Sequence, residues 1–153
     1  MIKKNKNSEI TTKLINHLIV SGKKNKSEQI ISKSLKVLQT TSKKSSKKLL
    51  QLALVFNTPL FKINAITQKK RKKKKQKTKI IPAFISNKIN RISFSIKFIL
   101  ETLKKKKGSP VYKDLSKELF LSSQNKSSSI EVKKETQKQA FLNRHLFKYY
   151  RWH

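Results

Sequence analysis

Cysteine is absent from this chain, which excludes disulfides and thiolate metal sites and agrees with an intracellular compartment without naming one. Only 2 Gly and 3 Pro occur in 153 residues. That is little of the punctuation a turn-rich sheet needs, so long helices are favoured. Acidic residues are scarce as well: 7 Asp and Glu stand against 39 Lys and Arg, a formal charge of +32. Solubility requires far less. Like charges about 4 Å apart in water repel by roughly 1 kcal/mol, and the phosphates of a nucleic acid would relieve that strain. A membrane is not the expected polyanion, because no stretch approaches the ~20 apolar residues of a spanning helix. The opening MIKKNKNSEITTK has neither the apolar centre of a secretory signal nor the Arg-rich, acid-free pattern of a transit peptide, so no import signal is expected.

What is present argues for a folded chain. Hydrophobic residues make up 35% of the sequence, with 8 Phe, enough for a core of ordinary size and more than a disordered Lys-rich chain carries. One domain over residues 1–153 is expected, with a short basic arm at 1–8. Lys far outnumbers Arg, and Ile and Asn are abundant, a bias that AT-rich codons produce. An organelle genome is therefore the expected origin.

The apolar periodicity lays out the elements. Ile10, Leu14 and Leu18, with Ile15 and Ile19 alongside, form a helical stripe that stops at Ser21-Gly22. A second helix follows Asn25, where Asn25 and Glu28 can form a capping box, and it presents Ile31, Leu35 and Leu38. The third carries Leu49, Leu52, Ala53 and Phe56 and ends before Pro59. At Leu60 the period changes to two, with Phe61, Ile63 and Ala65 on one side, and a matching run spans residues 79–85. This predicts a β-ribbon over residues 60–85, with Pro82 tolerated because both strands are edges. Helical period returns at Ile89, Ile92, Ile96, Ile99, Leu100 and Leu103, the longest stripe in the chain. Ser109-Pro110 suits the start of a fifth helix, as cap and first residue, burying Val111, Leu115 and Leu119. Ser128 with Glu131 can box the start of a sixth that buries Ala140 and Phe147. The predicted fold is mainly α: about six helices, with a two-stranded ribbon between the third and fourth.

Basic residues mark the candidate nucleic-acid surface. Nine of the eleven residues from Lys69 to Lys79 are basic: Lys69, Lys70, Arg71, Lys72, Lys73, Lys74, Lys75, Lys77 and Lys79. A lysine run is usually a solvated face. Carried on a ribbon tip, it becomes a cationic finger that gains affinity from phosphates without reading sequence. Arg91, Lys97, Lys104 and Lys105 extend the same surface along the polar side of the fourth helix. The aromatic close at Phe147, Tyr149, Tyr150 and Trp152 is more often chain-end packing than base stacking, but Trp152 beside Arg151 can stack on an unpaired base. His17 and His145 have no second His or carboxylate at metal spacing, and no P-loop, G-x-S-x-G or nucleophile-base pair occurs. Neither catalysis, nor a metal, nor a cofactor, nor a small-molecule substrate is expected.

Both ends of the sequence resemble one family. The closing segment EVKKETQKQAFLNRHLFKYYRWH resembles the final helix of protein seven of the small ribosomal subunit, with Val132, Lys133, Lys134, Glu135, Asn143, Phe147, Tyr150, Arg151 and Trp152 at that family's positions. The opening KLINHLIVSGKKNKSEQIISKSLKVL is similar to its first two helices, with Gly22, Lys23 and Lys24 on a G-K-K signature and Glu28 and Ile30 in register. The element order between them is also the family's. One departure stands out: QKKRKKKKQKTKIIP keeps the family's proline at Pro82 but lacks its ribbon glycines, so the turn geometry does not transfer.

The resemblance implies a structural protein that binds the 3′ major (head) domain of small-subunit ribosomal RNA and supports head assembly. It further implies a place near the exit-site tRNA and the mRNA path, with neighbouring ribosomal proteins in contact. The implied RNA contacts are Lys23, Lys24, the ribbon-tip residues Lys69 to Lys75 and Lys77, Arg91, Lys97, Lys104, Lys105, Lys133, Lys134, Arg144, Tyr150, Arg151 and Trp152. With the codon bias, the expected location is a mitochondrial ribosome, with a plastid as the alternative. Two rivals differ in class. A Lys-rich DNA-compacting protein of linker-histone type would be poorer in Ile, Leu and Phe stripes than this chain, and an RNA-processing enzyme would need a site that the residues do not offer.

Overall fold

The computed structural model describes residues 6–42, 44–68, 77–106 and 108–149. Among them are six α-helices, α1 (Lys6–Leu18), α2 (Lys24–Thr41), α3 (Ser46–Asn57), α4 (Lys88–Lys105), α5 (Val111–Ser123) and α6 (Ser128–Leu142). A ribbon of β1 (Phe61–Gln68) and β2 (Lys77–Phe84) stands between α3 and α4, and a 3-10 segment, Arg144–Tyr149, follows α6. The mainly helical class and the position of the ribbon are as the sequence predicts. Helix α1 already covers Lys6 to Ser8, the end of the stretch expected as an arm, and residues 1–5 lie outside the described residues.

One apolar cluster ties five helices together: Leu14 of α1, Ile31 and Leu38 of α2, Leu49, Leu50, Ala53 and Leu54 of α3, Ile96, Ile99, Leu100 and Leu103 of α4, and Leu115 and Leu119 of α5. Each large side chain buried there contributes on the order of 1.5–3 kcal/mol, which must outweigh the self-repulsion of the +32 charge. Helix α4 sits at the centre, packing on α1, α3, α5 and α6, as its long stripe anticipates. Most polar groups inside are satisfied locally or across elements, the exception among the described residues being Asn57 Oδ1. Ser34 Oγ donates to Ile31 O at 2.8 Å, and Ser95 Oγ of α4 donates to Leu54 O of α3 at 3.0 Å.

Several local expectations are corrected. Helix α3 buries Leu49, Leu50, Ala53, Leu54 and Asn57, whereas Leu52 and Phe56 lie on its exposed side. Its apolar residues cover most of the circumference, so spacing alone does not select the inward stripe. Helix α2 starts at Lys24 with no side-chain cap, and Glu28 pairs with Lys24 in place of boxing Asn25. Ser109 does not cap α5: Pro110 holds that position and Ser109 Oγ bonds the Asp114 carboxylate. Val111 is exposed there. No box forms at α6, whose cap position is Ser127. The cap arrives from another helix. Glu118 of α5, fully buried, accepts from Ser129 N at 3.1 Å and from Lys106 Nζ at 2.8 Å. A carboxylate at a helix N-terminus satisfies orphan N–H groups and favours the dipole.

The ribbon's register runs from Phe61↔Phe84 to Gln68↔Lys77. Ile85 N donates to Leu60 O at 3.0 Å, so hydrogen-bonded pairs alternate outward from there and Ile63↔Pro82 falls on a non-hydrogen-bonded pair. Pro82 therefore costs the ladder no bond. An isolated two-stranded ribbon is marginal in water, and this one is braced at its base. Ile81, Ala83 and Ile85 are buried, and α6 packs on both strands. On the other face Phe61 meets Phe84 edge-on, with centroids 5.9 Å apart, and Phe147 at 5.4 Å. Phe147 reaches this place from the 3-10 segment after α6 has ended at Leu142, so it docks on the ribbon and does not continue a helical stripe.

Candidate nucleic-acid interface

The turn between α1 and α2 is built by two residues of positive φ, Ser21 at 50° and Gly22 at 71°, closed by Lys23 N donating to Val20 O at 3.1 Å. Nothing lies within 4 Å of where a Cβ on Gly22 would stand, so glycine is needed there for its backbone freedom. The turn delivers Lys23 and Lys24, both exposed, to the start of α2. Lys24 Nζ lies 3.7 Å from Glu28 Oε1 with both side chains open to water. Such a pair is weak and leaves Lys24 available to a stronger anion.

A second cationic patch forms where α1 crosses α4. His17, Lys97, Glu101 and Lys104 line one shallow concavity of about 380 Å³. His17 titrates below the usual histidine value, because burial disfavours its charged form and Lys97 and Lys13 add repulsion. The neutral imidazole spares this seam one more positive charge. Lys97 Nζ sits 5.2 Å from the centre of the Phe94 ring, which holds it extended over the helix surface. Lys13 was not among the expected contacts, although its spacing of four residues from His17 on one helix face is a legible signal.

Two expected contacts are partly engaged by the protein itself. Arg91 Nε donates to Ile85 O at 2.6 Å and its guanidinium lies 5.0 Å over Phe84, fastening α4 to the ribbon's base. Its other N–H groups remain as donors. Lys133 Nζ donates to Phe56 O at 2.7 Å, where it serves the carbonyl end of α3. Burial first, and then Lys134, holds its ammonium below the usual lysine range. Lys134 is exposed beside it, and so are Lys104 and Lys105 on the last turn of α4. Arg144 is also exposed, 5.1 Å over the Phe141 ring. Lys69, Lys70, Arg71, Lys72, Lys73, Lys74, Lys75, Tyr150, Arg151 and Trp152 lie outside the described residues, and of Lys77 only the backbone is described.

Among the described residues no three of His, Asp and Glu gather as a metal site, and no helix is long and apolar enough to cross a membrane. The described arrangement offers ammonium and guanidinium groups spaced over helix surfaces. It is suited to holding phosphates.

Comparison with known proteins places this geometry. The family described as ribosomal protein S7p/S5e matches residues 1–144. The chain belongs to that family. Its helix order, its ribbon and its basic surface are thus those of an S7p/S5e protein, which is a structural and non-enzymatic ribosomal protein of the small subunit. The linker-histone-like and RNA-processing alternatives lose their footing. The chain is 32% identical over 147 residues to the small ribosomal subunit protein uS7 of Wigglesworthia glossinidia brevipalpis, covering 95% of this chain and 88% of that one. It is 27% identical over 139 residues to the small ribosomal subunit protein uS7c of Euglena gracilis, covering 90% and 84%. The family match stops before Tyr150, Arg151 and Trp152, so membership rests on the helices and ribbon and not on the closing triplet.

Proposed function

We propose that this S7p/S5e protein acts as a single RNA-binding domain on the 3′ major (head) domain of small-subunit ribosomal RNA and helps that domain assemble. In this reading it lies near the exit-site tRNA and the mRNA path, among neighbouring ribosomal proteins. The observation that carries the reading is the family match over residues 1–144 on a chain of charge +32. The braced ribbon and the two cationic patches support it. The base of the ribbon is held by Phe61, Phe84, Phe147 and Arg91, which lets strands that cannot stand alone carry the Lys69 to Lys75 block. Lys23, Lys24, Lys97, Lys104, Lys105, Lys134 and Arg144 then position the RNA backbone.

The test is hydroxyl-radical footprinting of full-length small-subunit ribosomal RNA by the purified chain, at matched salt against duplex DNA. Protection confined to the 3′ major domain is expected. Equal protection across all domains, or equal affinity for the duplex, overturns it. The mitochondrial ribosome is the proposed location, supported by the excess of Lys, Ile and Asn. Co-sedimentation of the chain with mitochondrial ribosomes tests this, and its recovery with plastid ribosomes moves the assignment there.

A further inference from the structure

The basic surface has an apolar counterpart that RNA does not explain. Two shallow concavities, of about 310 and 220 Å³, lie between α2, α3 and α5 and share Thr41 and Phe120, so they form one groove. Val37, Leu52 and Phe120 supply its carbon surface. Leu52 is 40% exposed, and Val55, one turn on along α3, is 65% exposed. The lining includes Lys44, Lys113 and Lys117, all exposed, and no carboxylate.

We infer that this groove docks an acidic, amphipathic segment of a neighbouring protein: an apolar side chain seated on Leu52 and Phe120, with flanking carboxylates meeting Lys44, Lys113 and Lys117. This rests on the ribosomal reading above. The hydroxyls around the groove give an incoming phosphate little to bind. Thr41 Oγ1 donates to Val37 O at 2.8 Å, Ser42 Oγ to Leu38 O at 2.9 Å, Ser116 Oγ to Lys113 O at 2.8 Å and Ser123 Oγ to Phe120 O at 2.6 Å. Their protons are turned inward, so the donors left for an anion are the ammonium groups around carbon and the one amide of Gln124 at the α5 end. That pattern suits a peptide with one apolar anchor and negative flanks. A second copy of this chain is the wrong partner, because it brings another +32 and sets lysines against lysines.

The chain has no cysteine, so Val55→Cys, beside the groove but outside its lining, introduces a unique thiol for a benzophenone maleimide and leaves Leu52 in place. The labelled full chain is incorporated into small subunits and irradiated, with Lys138→Cys on the exposed side of α6 as control. The expected product joins Val55→Cys to an acidic protein segment bearing an apolar residue. Adding Lys113→Ser and Lys117→Ser is expected to lower its yield about threefold or more, the loss of two exposed ion pairs. A crosslink to ribosomal RNA, to a basic segment or to a second copy overturns the inference, as does no crosslink or a yield indifferent to the two lysines. Failure to incorporate is a different result: it counts against the ribosomal reading and takes this inference with it.

Discussion

Glu118 is the side chain whose loss the fold should feel most sharply for its size. It is 0% exposed, yet its carboxylate accepts from Lys106 Nζ at 2.8 Å, from Ser129 N at 3.1 Å and from Ser128 Oγ at 3.4 Å. It thereby joins the α4–α5 connection to the N-terminus of α6. Glu118→Gln keeps the volume and one carbonyl oxygen but removes the charge. Exchanging a charged for a neutral acceptor costs about 1 kcal/mol per bond, and the lost charge at the helix N-terminus costs a further 0.3–1 kcal/mol or so. The Lys106 side chain is 39% exposed and recovers most of its hydration, so that pair adds under about 1 kcal/mol. The sum is about 2 kcal/mol.

Burial pushes the Glu118 carboxyl up, but Lys106 and the Ser129 backbone and hydroxyl groups together pull it below the ordinary 4.5. A carboxyl with a depressed folded-state value contributes stability that is present above its unfolded value. That contribution is lost as pH falls through the folded value. Wild type and Glu118→Gln should therefore differ by about 2 kcal/mol near pH 7 and converge in acid, where wild type also carries a neutral side chain. Urea unfolding followed by circular dichroism in about 0.5 M KCl, which screens the surface lysines, reads both numbers. A gap under about 0.3 kcal/mol near neutrality, or one that persists undiminished in acid, would falsify the capping argument.

Three further outcomes are expected. Replacing the basic residues from Lys69 to Lys75 with Ser should weaken RNA binding without changing which RNA is preferred, and should flatten the salt dependence of affinity; an unchanged slope means these lysines do not meet phosphate. The free protein should gain helix, by circular dichroism, on adding salt or its RNA, since both relieve the +32 charge, and equal helix content in all conditions speaks against this. Gly22→Ala should destabilise by about 1–2 kcal/mol in urea unfolding, because φ of +71° strains a side-chain-bearing residue although the space around it is open; no change would mean the turn relaxes to another conformation.

The sequence by itself determined what is additive along the chain. Net charge follows from counting, and it names a polyanion. The long stripe through Ile96, Ile99, Leu100 and Leu103 predicts the central helix α4, because one strongly one-sided period has only one way to face a core. The switch to period two at Leu60 predicts the ribbon, whose base closes at Leu60 and Ile85. The G-K-K signature at Gly22 reads as a turn and is one.

Tertiary structure decided what depends on residues far apart in sequence. Helix α3 is apolar nearly all round, so only its neighbours α4 and α5 select Leu50 and Leu54 over Leu52 and Phe56. Capping patterns are local, and two plausible boxes and one serine cap gave way to other arrangements, most plainly at α6, where a buried carboxylate eleven residues upstream outcompetes the local serine and glutamate. Arg91 and Lys133 have the composition of RNA contacts, yet their bonds to Ile85 O and Phe56 O show them holding the protein together as well. Whether a cation faces solvent or a carbonyl is settled by packing, because a free lysine and an engaged one are the same letter until the chain folds.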